Sequence, residues 1–396
     1  MMREDTLQTT LGRIQHIAAL IGGLGMVALV SGALMSTRQF LQSYLFAYVF
    51  WIDFALGCLA LFMLNHLVSG GWGFVIQRLV EAGMRTLPLM GLLFIPVLLG
   101  MSSLYSWVSP ERVNAGHEVH IWNAYLNVPF FVARTIIYFV LWIGNSWILS
   151  RWSKEQDAST DPRPTQRILL LSAPGLLVYV LTVSFASVDW VMSLEPGWFS
   201  TIYGFMFVVG QVLGSLALVV VSLRLLAEYP PLSRIVTSRH LHHLGNLLLT
   251  FVILWAYMAY SQYIIIWSGN LPDENSWYLR RLAPGWSTLG LCIVIVHFFL
   301  PLVLLLFRRT KRSIGPLSAI AVVILFMRLA DTFWVVSQAF SPDHFRLHWL
   351  DLLAPIAVGG VWIFVFAGQL KRRSLIPLHD PRFVVSLEPI KDALQQ

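Results

Sequence analysis

Ten long apolar runs dominate the chain, at 14–35, 41–67, 86–107, 127–150, 167–190, 199–225, 244–268, 284–307, 315–339 and 349–370. Each is long enough to cross a bilayer, which takes roughly 20 residues of helix at 1.5 Å rise. The runs around 123–150 and 349–370 are interrupted by polar residues. All are continuous rather than alternating, so a closed β-barrel is excluded. The pattern predicts an all-α membrane protein of about ten transmembrane helices.

Composition agrees. Hydrophobic residues are 57% of the 396 and charged residues only 12%, about half the charged share of a soluble domain. A soluble globular protein and a disordered one are both excluded. The +7 net charge suggests nucleic acid only in a soluble protein; here the partner is the lipid bilayer, and no nucleic acid is expected. The informative quantity is the sidedness of the basic residues. Of the 27 Lys and Arg, twenty fall in the segments on the N-terminal side of the spans. Five (Arg38, Arg112, Arg280, Arg281 and Arg346) fall on the opposite side, and Arg134 and Arg328 lie inside spans. The excess of basic residues on one side places both termini in the cytoplasm. The first run is too long for a cleaved signal segment and reads as a retained span. Residues 1–370 form one transmembrane domain, and 371–396 a cytoplasmic tail.

Cys58 and Cys292 both sit in apolar runs. Two thiols without Cys-x-x-Cys-His allow neither c-type haem attachment nor a four-cysteine iron–sulfur or zinc site. Any redox cofactor is then non-covalent or held by another subunit. No phosphate-binding glycine loop, Walker lysine or nucleophile elbow occurs, so no catalytic residue is assigned.

Chemistry therefore rests on the polar residues inside the spans. A charge at mid-bilayer costs about 2.5–3.5 kcal/mol on insertion scales, so each needs a partner or a wet cavity. Asp53 is near the middle of the second run, and His66 follows about half a turn off its face. The fourth run carries Arg134, the fifth Asp189, the eighth His297 and the ninth Arg328 and Asp331. Arg328 and Asp331 are three residues apart and meet on one helix face, either as a self-neutralising pair or as a switch in a proton path. Asp53 has no basic residue within a turn, so its partner comes from another helix; Arg134 and His297 are the expected ones. For His297 a proton relay, a quinone hydrogen bond, a b-haem ligand and a satisfied interior histidine all remain open. His240, His242 and His243 suit a headgroup-facing helix start better than a metal, and His344 and His348 are expected to meet water or a partner protein. Small-residue runs at Gly22–Gly25 and Gly359–Gly360 permit close helix approach. ASVDWV (186–191) and RLADTFWVV (328–336) each place an aspartate just before a tryptophan, an echo of a repeated four-helix unit or a coincidence of two short strings.

Three stretches carry a resemblance: SVDWVMSLEPGWFSTIYG (187–204), YSQYIIIWSGNLPDE (260–274) and PLHDPRF (377–383). With the ten-span plan, they resemble the ActF-type membrane subunits of bacterial alternative complex III, relatives of the NrfD/polysulfide-reductase subunits. The resemblance implies two four-helix bundles, spans 2–5 and 6–9, flanked by spans 1 and 10. It implies a subunit of a (mena)quinol:electron-acceptor oxidoreductase of the bacterial inner membrane, in a respiratory or photosynthetic electron-transport chain and not catalytic alone. No cofactor is expected in this chain. Iron–sulfur clusters and c-type haems are expected in partner subunits, beside a homologous NrfD-like subunit that binds quinol. A proton route would draw on Asp53, His66, Arg134, Asp189, His297, Arg328 and Asp331. Depth along the helices gives the order His66 and His297, then Asp53, then Arg328/Asp331, then Asp189. The alternatives are a subunit that itself oxidises menaquinol, with His297 or Asp53 taking the proton, and a secondary transporter.

Overall fold

The computed structural model describes residues 2–68, 70–108, 124–377 and 380. Among them, ten helices are long and apolar enough to cross a membrane. They are span 1 (Leu7–Met35), span 2 (Thr37–Val68), span 3 (Gly71–Leu99), span 4 (Val128–Ala158), span 5 (Arg163–Leu194), span 6 (Tyr203–Leu226), span 7 (Ser238–Gly269), span 8 (Trp286–Leu306), span 9 (Ile314–Phe340) and span 10 (Trp349–Lys371). No strand occurs among the described residues. The chain is an all-α, multi-pass membrane protein. Arg112, most of the 108–126 loop and most of the PLHDPRF stretch lie outside the described residues.

Span 2 is the axis of the molecule, with 94% of its apolar window buried. It packs on spans 3, 5, 6 and 10. Spans 2, 3, 4 and 5 close one ring of contacts, and spans 6, 7, 8 and 9 close another. Spans 2 and 6 make the seam between the two bundles, and Gly57 lets them meet: a Cβ there would fall 2.1 Å from the Gln211 carbonyl oxygen. Spans 1 and 10 pair outside the bundles, as their small residues suggest. A Cβ on Gly22 would lie 2.7 Å from the Val361 amide nitrogen, and one on Gly360 would lie 2.4 Å from that of Gly22. With no side chain between them, the backbones touch, and dispersion replaces the hydrophobic drive that lipid removes.

Helix ends follow local capping. Asn127 Oδ1 accepts from the Phe130 amide at 2.9 Å to start span 4, with Pro129 in its first turn. Thr237 and His240 form a reciprocal cap on span 7, so the histidine cluster is a helix start. His348 Nδ1 accepts from the Leu350 amide, and Asp351 reaches back to the His348 amide at 2.8 Å, so His348 caps span 10.

Two departures from the sequence reading shape the interior. Span 3 starts at Gly71, fifteen residues before the apolar run, and carries buried Arg78 and Glu81. These look like loop residues because they are charged, but the bundle neutralises both. Span 8 is interrupted by a π-helical turn, Ile293–Phe299. Pro301 follows, lacking the amide that would bond the His297 carbonyl four residues earlier and crowding that carbonyl with its ring.

Candidate functional site

The buried charges of the spans fall into separate clusters. At the seam between the bundles, Arg328 Nη2 donates to Asp53 Oδ2 at 3.1 Å, and Arg328 Nη1 donates to Asp331 Oδ2 at 2.5 Å. All three side chains are buried. The partner of Asp53 is thus Arg328, not Arg134 or His297 as the sequence suggested. Gly210 makes the contact possible, because a Cβ there would lie 2.6 Å from the guanidinium. Ser215 Oγ donates to the Phe54 carbonyl at 3.1 Å, anchoring span 6 one residue beyond Asp53. Tyr179 donates to Gln211 Oε1 at 2.8 Å, and Gln211 lines a void of about 10 Å³ with Asp53, the size of a single water. Asp53 Oδ1 has no hydrogen-bond partner among the described residues.

Arg134 belongs to the first bundle. Its Nε and Nη2 clasp Asp189 at 2.9 and 2.8 Å, and Tyr138 donates to the same carboxylate at 2.8 Å. The guanidinium donates its remaining edge to the Tyr125 carbonyl at 3.0 Å and lies 3.8 Å from the Tyr125 ring centroid. The pair is planar, bidentate and closed, the arrangement that best offsets the cost of burying two charges.

The two candidate histidines do not join either cluster. His66 Nδ1 lies 2.8 Å from the Phe62 carbonyl of its own helix; thirteen residues of helix put it roughly 20 Å from Asp53 along the axis. His297 is fully buried in the π-turn, with its ring 4.4 Å from Trp255 in an edge contact. Neither of its nitrogens has a hydrogen-bond partner among the described residues. Trp255 also lies against Asp331, so one indole touches both titratable groups. Among the described residues no set of three His, Cys, Asp or Glu is placed to hold a metal ion.

Sequence reasoning missed two further clusters. On the N-terminal side, Arg78 bonds Glu81 at 2.5 Å and reaches Asp157, while Arg373 from the tail reaches Glu81 and the Ser150 carbonyl. Burial and the neighbouring Arg78 cation push the Arg373 guanidinium down to about 10. On the opposite side, Arg281 is held by Glu195 at 3.2 Å and by the Val335 carbonyl at 3.2 Å, with its guanidinium 3.5 Å from the Trp277 ring centroid. Burial pushes it down to about 10, against the pull of Glu195. The available signal was Glu195 itself, an acid facing a basic pair in the short helix Pro272–Arg281.

Arg281 and Asp331 share a cavity of about 800 Å³ in the second bundle, walled by Trp255, Tyr257, Gln262, Trp277 and Trp334. Two of the three motif stretches meet beside it. Ser200 donates to Gln262 at 2.9 Å, Trp198 donates to the Glu274 carbonyl at 3.1 Å, and the Trp198 and Trp277 rings stack at 4.9 Å. The Asp53–Arg328–Asp331 chain therefore runs from the seam of the bundles to the wall of an aromatic chamber. No family model matches the chain, and no curated protein sequence matches it.

Proposed function

We propose that the chain is an integral membrane subunit of a (mena)quinol:electron-acceptor oxidoreductase of the alternative complex III type. It carries protons through the Asp331–Arg328–Asp53 cluster while partner subunits hold the iron–sulfur clusters and c-type haems. In this reading it lies in a bacterial inner membrane with both termini in the cytoplasm. It packs against a homologous quinol-binding subunit and holds no redox cofactor of its own. The two motif stretches of the resemblance, packed together beside the cavity, support the assignment.

One observation carries the proton role: a single guanidinium faces two buried carboxylates. Electroneutrality of that cluster requires one proton shared between Asp53 and Asp331, because two carboxylates and one cation in a low-dielectric interior leave an uncompensated charge. Arg328 bonds both acids and so links them. A proton arriving at Asp331 displaces the shared proton toward Asp53, and the small void at Gln211 offers it a water-sized next step. The Arg134–Asp189 pair is one to one and has no proton to pass.

The test uses the complete complex, purified through this chain and reconstituted in proteoliposomes, with Asp53→Asn and Asp331→Asn made separately. Quinol oxidation is expected to persist while proton release across the membrane falls several-fold. Wild-type proton release in both variants would remove the proton role and leave the chain a scaffold.

A further inference from the structure

The cavity of the second bundle has the attributes of a binding site, and the proton reading places nothing in it. Its volume, about 800 Å³, lies in the upper part of the range of small-molecule sites. It opens sideways between spans 7 and 8, where lining residues reach the lipid-facing surface: Tyr257 is 61% exposed and Phe299 51%. Its lipid-facing end is apolar, bounded by the exposed side chains of Ile253, Val294 and Phe299. Its other end is polar, bounded by Arg281, Gln262, Tyr278 and Asp331.

The polar end is left incomplete by the chain itself. Arg281 is 2% exposed, yet its Nε–H has no hydrogen-bond partner among the described residues. In hydrocarbon no water satisfies such a donor, and it costs free energy until an acceptor arrives. Glu195 pairs with Arg281 and also with the half-exposed Arg280 at 2.9 Å, so both guanidiniums already meet a carboxylate, and what Arg281 Nε lacks is an acceptor. Asp331 in the wall also disfavours an anionic head.

We infer that this cavity binds an uncharged, lipid-soluble amphiphile: a head bearing a carbonyl acceptor lodges at Arg281 and Gln262, and an apolar tail leaves between Tyr257 and Phe299. Flat aromatic walls suit a ring head, and a glycerolipid ester carbonyl offers the same acceptor. The proposal goes beyond the proton role and does not depend on it.

The test uses the full-length chain in nanodiscs, titrated with two probes: a naphthoquinone carrying an isoprenoid tail, and a diacyl phosphatidylethanolamine. Retained probe is extracted after washing and counted per chain. Ala259→Trp and Val294→Trp each fill the cavity from a different wall without altering a charged group. Saturable retention of about one equivalent, reduced at least tenfold in whichever filling variant folds, supports the site, and the retained probe tells ring head from ester. If neither probe is retained saturably, or both variants retain them as the wild type does, the site is refuted. Asp53, Arg328 and Asp331 are intact in these variants, so that failure leaves the proton role to be judged by its own experiment.

Discussion

Asp189 and Asp331 stand in matching sequence contexts, each shortly before a tryptophan in the C-terminal half of its span, and the two bundles treat them oppositely. In the first bundle Asp189 receives two arginine N–H groups and a tyrosine hydroxyl, and it is fully buried. In the second bundle Asp331 shares its arginine with Asp53 and borders an 800 Å³ chamber. The same acid is a structural bolt when its charge is matched one to one in close packing. Where two acids divide one cation beside open space, the charge is left unmatched, and that is the feature on which the proposed proton role rests. Surroundings, not the local string, decide which.

The largest expected effect tests the bolt. Arg134→Ala strips Asp189 of two of its three side-chain donors and leaves a carboxylate buried alone, a loss of about 3–5 kcal/mol by precedent for broken buried pairs. Folded yield in detergent and thermal midpoint should both fall sharply. The double variant Arg134→Leu/Asp189→Leu removes both charges and should recover much of the loss. A single variant as stable as the wild type would mean that water or lipid headgroups reach this pair, and the contrast between bundles would collapse.

The second effect compares packing instead of charge. Gly83 of span 3 sits where a Cβ would fall 2.4 Å from Cys58 Sγ and 2.9 Å from its Cβ. Gly83→Ala overpacks that contact, typically by 1–3 kcal/mol, partly offset by the ~1 kcal/mol helix preference of alanine over glycine. A measurable net drop in thermal midpoint is expected, and Cys58→Ala in the same background should relieve it. If Gly83→Ala raises the midpoint instead, the first bundle is less tightly packed than its contacts indicate.

How much of this was legible in the sequence follows the range of the interaction concerned. Ten spans could be read because insertion responds to local apolarity. The Arg328–Asp331 pair could be read because three residues on a helix are always neighbours. The close approach of spans 1 and 10 was visible in Gly22 and Gly360, since absent side chains permit only that. The partner of Asp53 was not legible: Arg328 is 275 residues away, and nothing local distinguishes it from Arg134. The early start of span 3 was masked because Arg78 and Glu81 read as loop charges until Asp157 and Arg373 are seen to neutralise them. The cavity was hidden because it is the space between helices, one of which carries a π-turn whose only trace in the sequence is Pro301.

The smallest effect probes that space directly. Gly290 lies on the chamber wall, and a Cβ there would come no closer than 3.4 Å to the Trp334 indole nitrogen. One methyl group in about 800 Å³ displaces almost nothing, so the transfer and strain terms nearly vanish. What remains is the helix propensity gained by replacing glycine with alanine in the helix Trp286–Cys292, at most ~1 kcal/mol. Gly290→Ala should therefore leave the thermal midpoint unchanged or raise it slightly. Gly290 and Gly83 are both helical glycines receiving the same methyl, so the opposite signs expected of them isolate packing from propensity. Equal destabilisation at both sites would show that the chamber closes in the membrane, and that Asp331 is as tightly enclosed as Asp189.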